Sequence, residues 1–150
     1  MNWMRCLVWF LIGGLLACSP QKPSFQAIDL TGADYAQGFD LPDQGGQRRT
    51  LADFKGKVVV VFFGYTQCPD FCPTTLTEWL DVKKRLGAKG DLIQPVFITL
   101  DPERDTPSIL KAYMAAFDPS FLALVPTLDE LPELAKRYKV YYKKVSTDTP

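Results

Sequence analysis

An α/β domain built on a short parallel sheet is the fold class this sequence predicts, and three observations carry it. Residues 58–63 are an unbroken β-branched and aromatic run between Gly56 and Gly64, as in a strand buried on both faces. Residues 95–100 (Pro-Val-Phe-Ile-Thr-Leu) form a second such run. Behind each run apolar residues recur at helical spacing, first Leu76, Trp79, Leu80 and Leu86, then Ile109, Leu110, Tyr113, Met114 and Phe117. Strands that alternate with helices require crossover connections, and those generate a parallel sheet with helices on its faces.

Taken in order, residues 1–17 have the layout of an export signal. Arg5 supplies a positive charge, and residues 6–17 form an apolar stretch too short to span a bilayer comfortably. Leu15-Leu16-Ala17-Cys18 resembles the lipobox of bacterial lipoproteins, which implies cleavage before Cys18 and a lipid on its thiol. Residues 18–24, with Pro20 and Pro23, then read as a lipidated tether, and 25–150 as the domain. Residues 25–30 suit a short first strand. Residues 39–41 and 48–51 flank Pro42-Asp43-Gln44-Gly45-Gly46, which predicts a hairpin.

Residues 74–86 predict a helix with Asp81 and Arg85 paired on its wet side and Gly87 as its stop. Thr106 and Pro107 suit the N-cap and first position of the next helix. Asp118 and Pro119 close that helix, and residues 121–125 form a short extended piece. Residues 128–142 begin as a helix, with Leu131, Leu134, Ala135 and Tyr138 on one face. Pro132 requires that helix to start just before it, with Asp129 as its cap. Two long strands and a short one leave a sheet edge open, so a complete fold of this kind is expected to continue past Pro150.

The 17 basic and 17 acidic residues cancel, and no basic block stands out, so nothing favours nucleic acid as a partner. The chain has no histidine. Its four cysteines are too few and too unevenly placed for a disulfide-stapled mini-protein. Loss of Cys6 with the signal and lipidation of Cys18 would leave Cys68 and Cys72 as the free thiols, facing an oxidising compartment. Those two lie where the first buried strand hands over to a helix, and unpaired amides and the helix dipole there favour a thiolate. On a first helical turn, Cys-x-x-x-Cys sets the sulfurs on one face. They can share a soft metal or close into a disulfide.

Phe63-Gly64-Tyr65-Thr66-Gln67-Cys68-Pro69-Asp70-Phe71-Cys72-Pro73 resembles the signature of the Sco family, also called SenC or PrrC. Asp101-Pro102-Glu103-Arg104-Asp105-Thr106-Pro107 resembles that family's second loop, and the likeness runs through residues 25–145. The resemblance implies a thioredoxin-like fold lacking its C-terminal strands and helix, in a membrane-anchored protein facing the bacterial periplasm. It also implies copper delivery to the dinuclear copper site of cytochrome c oxidase, or upkeep of the thiols there, with periplasmic copper or thiol-redox proteins as further partners. On matching positions, Cys68 and Cys72 are the copper ligands and the redox pair. The family's third ligand, a histidine, has no counterpart here, so the chain reads as C-terminally truncated. Pro126 also departs from an expected glycine-containing turn.

Two thiolates suit Cu(I), whereas Cu(II) prefers nitrogen donors and structural zinc prefers four ligands. Against the chaperone stand a thioredoxin-type thiol–disulfide oxidoreductase, an inactive remnant and a pair of structural thiols. The oxidoreductase's usual pair is separated by two residues, not three. Phe71-Cys72-Pro73-Thr74 faintly resembles a peroxiredoxin motif, but Pro69 stands where that motif needs threonine. Asp70, Asp101, Arg104 and Asp105 are expected to frame the cysteines, because ligands gather at the carboxyl ends of parallel strands. A turn and a capped helix, with Arg104 neutralising nearby acids, account for most of the 101–107 loop, and framing the cysteines or a partner's docking surface is its further role.

Overall fold

The computed structural model describes residues 25–145, and the chain divides into two compact units, Met1–Ala33 and Asp34–Pro150. The signal, Cys6, Cys18 and the tether lie outside the described residues. Residues 25–30 do not form the expected strand. The Asp29 carboxylate instead accepts bonds from the Thr31 amide (2.9 Å) and hydroxyl (2.6 Å), a local turn that competes with extended pairing.

The second unit opens with the expected hairpin, β1 (Asp40–Pro42) antiparallel to β2 (Arg48–Thr50). A 3₁₀ turn, Leu51–Phe54, leads to β3 (Val58–Gly64), and α1 (Phe71–Leu86) follows. A second 3₁₀ turn, Gly87–Leu92, then precedes β4 (Ile93–Thr99). The chain continues through α2 (Pro107–Ala115), β5 (Leu122–Leu124) and α3 (Glu130–Arg137). β3, β4 and β5 form a parallel sheet in that order, with Phe62 opposite Phe97 and Phe97 opposite Ala123. The hairpin docks on the far side of β5, where the Val125 amide donates to the Pro42 carbonyl at 2.9 Å.

Strand alternation divides the core into two layers. Val96, Ile98 and Leu124 face a cluster with Phe39, Leu41, Phe54 and Leu134, against which Val59, Val61 and Phe63 pack. On the other face Phe97 and Ala123 meet Leu76 of α1, Leu110 and Met114 of α2, and Phe121. Helices α1 and α2 thus cover one face, and α3 with the hairpin covers the other. β4 is central and buried. β3, expected to be buried on both faces, is only half-buried, because among the described residues its outer edge has no partner strand.

Local chemistry explains the shifted boundaries. Helix α1 starts at Phe71 because Pro73 falls at its third position, where an amide has no intrahelical partner to lose. Asp81 and Arg85 form no ion pair, whereas Lys83 reaches Asp118 at 3.5 Å. Thr106 caps α2 as expected, accepting from the Ile109 amide at 3.4 Å. In α3 the side chain of Asp129 caps nothing. Thr127 takes that part, its hydroxyl accepting from the Glu130 amide (3.2 Å) while its own amide donates to Glu130 Oε2 (2.8 Å). That helix stops well short of residue 142, and Lys139 has a left-handed φ of 56°. Among the described residues no helix is long and apolar enough to cross a membrane.

Candidate functional site

The early start of α1 places Cys72 inside the first helical turn and Cys68 in the loop before it. The Cys72 amide donates to Cys68 Sγ at 3.4 Å, so the loop thiol caps the helix that carries its partner. Both thiols are free, Cys68 partly exposed and Cys72 only 3% exposed.

The two sulfurs are unequal in their surroundings. Burial pushes the Cys68 thiol up. Bonds from the Cys72 thiol and from the amides of Cys72, Asp70 and Phe71 outweigh that, so its pKa falls below the ordinary cysteine value. Burial raises Cys72 to about 11, helped by its bond to Cys68; the Tyr65 amide offsets part of this, and the charges of Cys68 and Asp105 add smaller increments. One thiol is therefore poised to ionise while its neighbour holds a proton.

Gly64 permits this packing. A Cβ there would lie 2.8 Å from Phe97 Cε2 and 2.9 Å from Cys72 Sγ, closer than real contacts allow. The sulfur of Cys72 rests against bare backbone.

Asp105 fixes the loop from the other side. Its buried carboxylate accepts from the Thr66 amide (3.1 Å), Thr66 Oγ1 (2.5 Å) and Thr99 Oγ1 (2.6 Å), tying the cysteine loop to the end of β4. The Leu100 amide adds a bond to the Gly64 carbonyl at 2.7 Å. Arg104 pairs with Asp101 and donates to Gln67 Oε1 at 3.2 Å, a second and exposed link between the loops. Asp70 serves through its backbone amide.

Asp105 and Arg104 are thus brought to the cysteine loop, Asp101 acts through Arg104, and the Asp70 side chain makes no cap. Sequence reasoning did not single out Thr66, Thr99 or Gly64 for the site. Thr66 lies two residues before Cys68, and a threonine at the end of a buried strand signals a polar partner, but the pairing with Asp105 spans 39 positions. Among the described residues, no three histidine, cysteine or acidic side chains gather as a metal cage.

A dithiol at the start of the helix that follows a parallel strand, in a sheet covered on both faces, defines a thioredoxin-like protein. Residues 29–150 match SCO1/SenC, and the chain belongs to that family. It is 35% identical over 132 residues to a SCO2-like protein of Rickettsia felis, covering 87% of this chain and 64% of that one. Protein SCO1, mitochondrial, of Saccharomyces cerevisiae is 42% identical over 108 residues, 69% of this chain and 36% of that protein. The chain thus spans less than two thirds of the length of either relative. Among solved structures, copper-bound Bradyrhizobium japonicum ScoI shares 43% identity at a TM-score of 0.69, covering 75% of this chain and 71% of the other. BsSco, a Sco-family cytochrome c oxidase assembly protein in which a disulfide switch was identified, shares 28% at a TM-score of 0.61, covering 75% and 69%.

Proposed function

We propose that this protein binds copper through Cys68 and Cys72 and serves the assembly of cytochrome c oxidase, delivering copper to the dinuclear copper site or keeping its thiols reduced. The free thiol pair, Cys72 on the first turn of α1 and Cys68 in the loop before it, is the observation that carries this reading. Two sulfurs brought together at the start of a helix form a soft donor set, and soft donors select Cu(I). The donor set accommodates a two-coordinate monovalent ion. Tight Cu(II) binding would need nitrogen donors. Copper is cargo here, so Cys68, the more acidic and partly exposed thiol, is the natural point of entry and hand-over, while Cys72 anchors the ion from the buried side. Copper-bound relatives, ScoI and yeast Sco1, support the reading.

The sulfur asymmetry favours a second, compatible reading as a thiol–disulfide exchanger, with Cys68 attacking and Cys72 resolving. We further propose a lipoprotein anchored through Cys18 and facing the periplasm, based on the sequence of residues 1–18. Reduced protein titrated anaerobically with Cu(I) should bind about one ion per chain, and Cys68→Ser and Cys72→Ser should each abolish this. Full stoichiometry in both variants would sink the copper reading. Metal-free reduction of a model disulfide measures the second reading directly.

A further inference from the structure

The dithiol is bracketed by apolar side chains that the core does not use. Pro69 and Phe71 are both exposed. Phe71, at the first position of α1, is 82% exposed, whereas its neighbour Cys72 is buried. Among the described phenylalanines of the second unit, Phe71 alone has no ring partner; each of the others packs tilted or edge-on against an aromatic neighbour. Single exposed apolar residues are common on soluble proteins, so exposure alone decides nothing. Position decides. The amide that donates to Cys68 Sγ at 3.4 Å is that of Cys72, in the peptide unit that Phe71 begins. Covalent geometry then sets the Phe71 Cα within about 6 Å of that sulfur.

A protein that takes copper from Cys68 must bring its own sulfur up to this one. Even a small transient interface covers about 600 Å² on each partner, a patch that reaches well past 6 Å from its centre. Docking on Cys68 therefore buries Phe71. Aromatic side chains near the centre of an interface carry a large share of its binding energy. The surroundings suit a rim: Gln67, Asp70 and Thr74 are exposed and polar, and the Asp70 side chain caps nothing. We infer that the Phe71 ring anchors the docking face for the copper acceptor, a protein whose paired thiols lie beside an apolar recess that takes the ring. In the transfer Cu(I) keeps its oxidation state. Its bonds to the Cys68 and Cys72 sulfurs break as bonds to the acceptor's sulfurs form, and the acceptor's thiol protons pass to the two vacated cysteines. This rests on the copper reading, and the experiment separates the two.

Wild type, Phe71→Ala and Phe71→Leu, each loaded with Cu(I), are mixed with one of two acceptors. One is the reduced, copper-free soluble domain of a cytochrome c oxidase subunit that carries the dinuclear site, with arriving copper read by native mass spectrometry. The other is a small chromogenic Cu(I) chelator, which needs no docking face. At sub-saturating acceptor, the ratio of the domain rate to the chelator rate should fall roughly tenfold in Phe71→Ala, and less in Phe71→Leu. The unfolding midpoint of Phe71→Ala should stay at the wild-type value, as an exposed side chain requires. If the wild type loads no Cu(I), the copper reading itself fails. A loaded wild type that supplies the chelator and never the domain overturns the docking face. An unchanged ratio in Phe71→Ala overturns the anchor, and so does equal slowing toward both acceptors, which would place the ring's effect on the copper site. A rate loss that merely follows a lowered unfolding midpoint overturns it too.

Discussion

Two strand-to-helix junctions lie side by side at the carboxyl end of the sheet, and they are built to opposite rules. After β4, the chain turns through residues 100–106 with its polar groups spoken for. Asp105 takes three bonds, the Asp101 carbonyl accepts from the amides of Arg104 and Asp105, and Thr106 caps α2. After β3, the chain turns through residues 65–70 and leaves two free thiols at the helix start, with Phe71 beside them 82% exposed. The saturated junction supplies rigidity and the unsaturated one supplies chemistry. They are joined through Asp105, so the second depends on the first.

The hardest way to break that dependence is Asp105→Ala. It strands the Thr66 and Thr99 hydroxyls and the Thr66 amide, and should cost about 2–4 kcal/mol in urea unfolding. Cu(I) affinity should fall with it, whereas Asp105→Asn should retain part of both. A loss below about 1 kcal/mol would show that the loops are independent. Gly64→Ala tests the contact from inside the reactive junction. Its Cβ would press on Phe97 and Cys72, and overpacking of this kind costs about 1–3 kcal/mol. A crystal structure of that variant should show the Cys72 sulfur displaced; an unmoved sulfur would refute the packing argument.

Subtler tests sharpen the contrast between the two thiols. Limited alkylation of the reduced protein near neutral pH, read by peptide mass mapping, should modify Cys68 at least about tenfold faster than Cys72. Equal rates would remove the asymmetry. The smallest effect is on stability. Cys72 is raised in the folded protein from 9.0 to about 11, so the fold holds its proton more tightly than the unfolded chain does. That contribution is complete below pH 9 and is lost as pH climbs through about 11. The fall in unfolding free energy over this window should shrink in Cys72→Ala. An identical fall in both proteins would assign the alkaline loss to other groups.

The reactive junction was the more legible of the two in sequence. Val58 to Phe63 and the two cysteines announce a strand, a turn and a helix within fifteen residues, and local signals suffice. The parallel sheet, the hairpin and the cap at Thr106 were equally readable, since each rests on neighbours in the chain. What escaped was long-range or competitive. The burial of β3 could not be judged from its composition, because an edge strand and a central one share the same residues. Asp105 was a candidate, but its partners Thr66 and Thr99 are specified only once β3 and β4 pair. Tyr113 read as helix-core packing, which its ring fulfils; that its buried hydroxyl lacks a partner among the described residues is a property of the assembled layers. Residues 25–30 favoured extension by composition and lost to the side chain of Asp29.

The outer margin of β3 has a bearing on how this protein behaves in a tube. Its outward amides face no neighbouring strand among the described residues, so they should exchange their hydrogens with solvent far sooner than those of β4. The same row of free donors and acceptors is a template on which a stray chain can lie down. Lys55 and Lys57, at the entrance to the strand, act as charged gatekeepers against stacking. The strand that presents the thiols at its tip thus also carries, among the described residues, the sheet's unpaired flank.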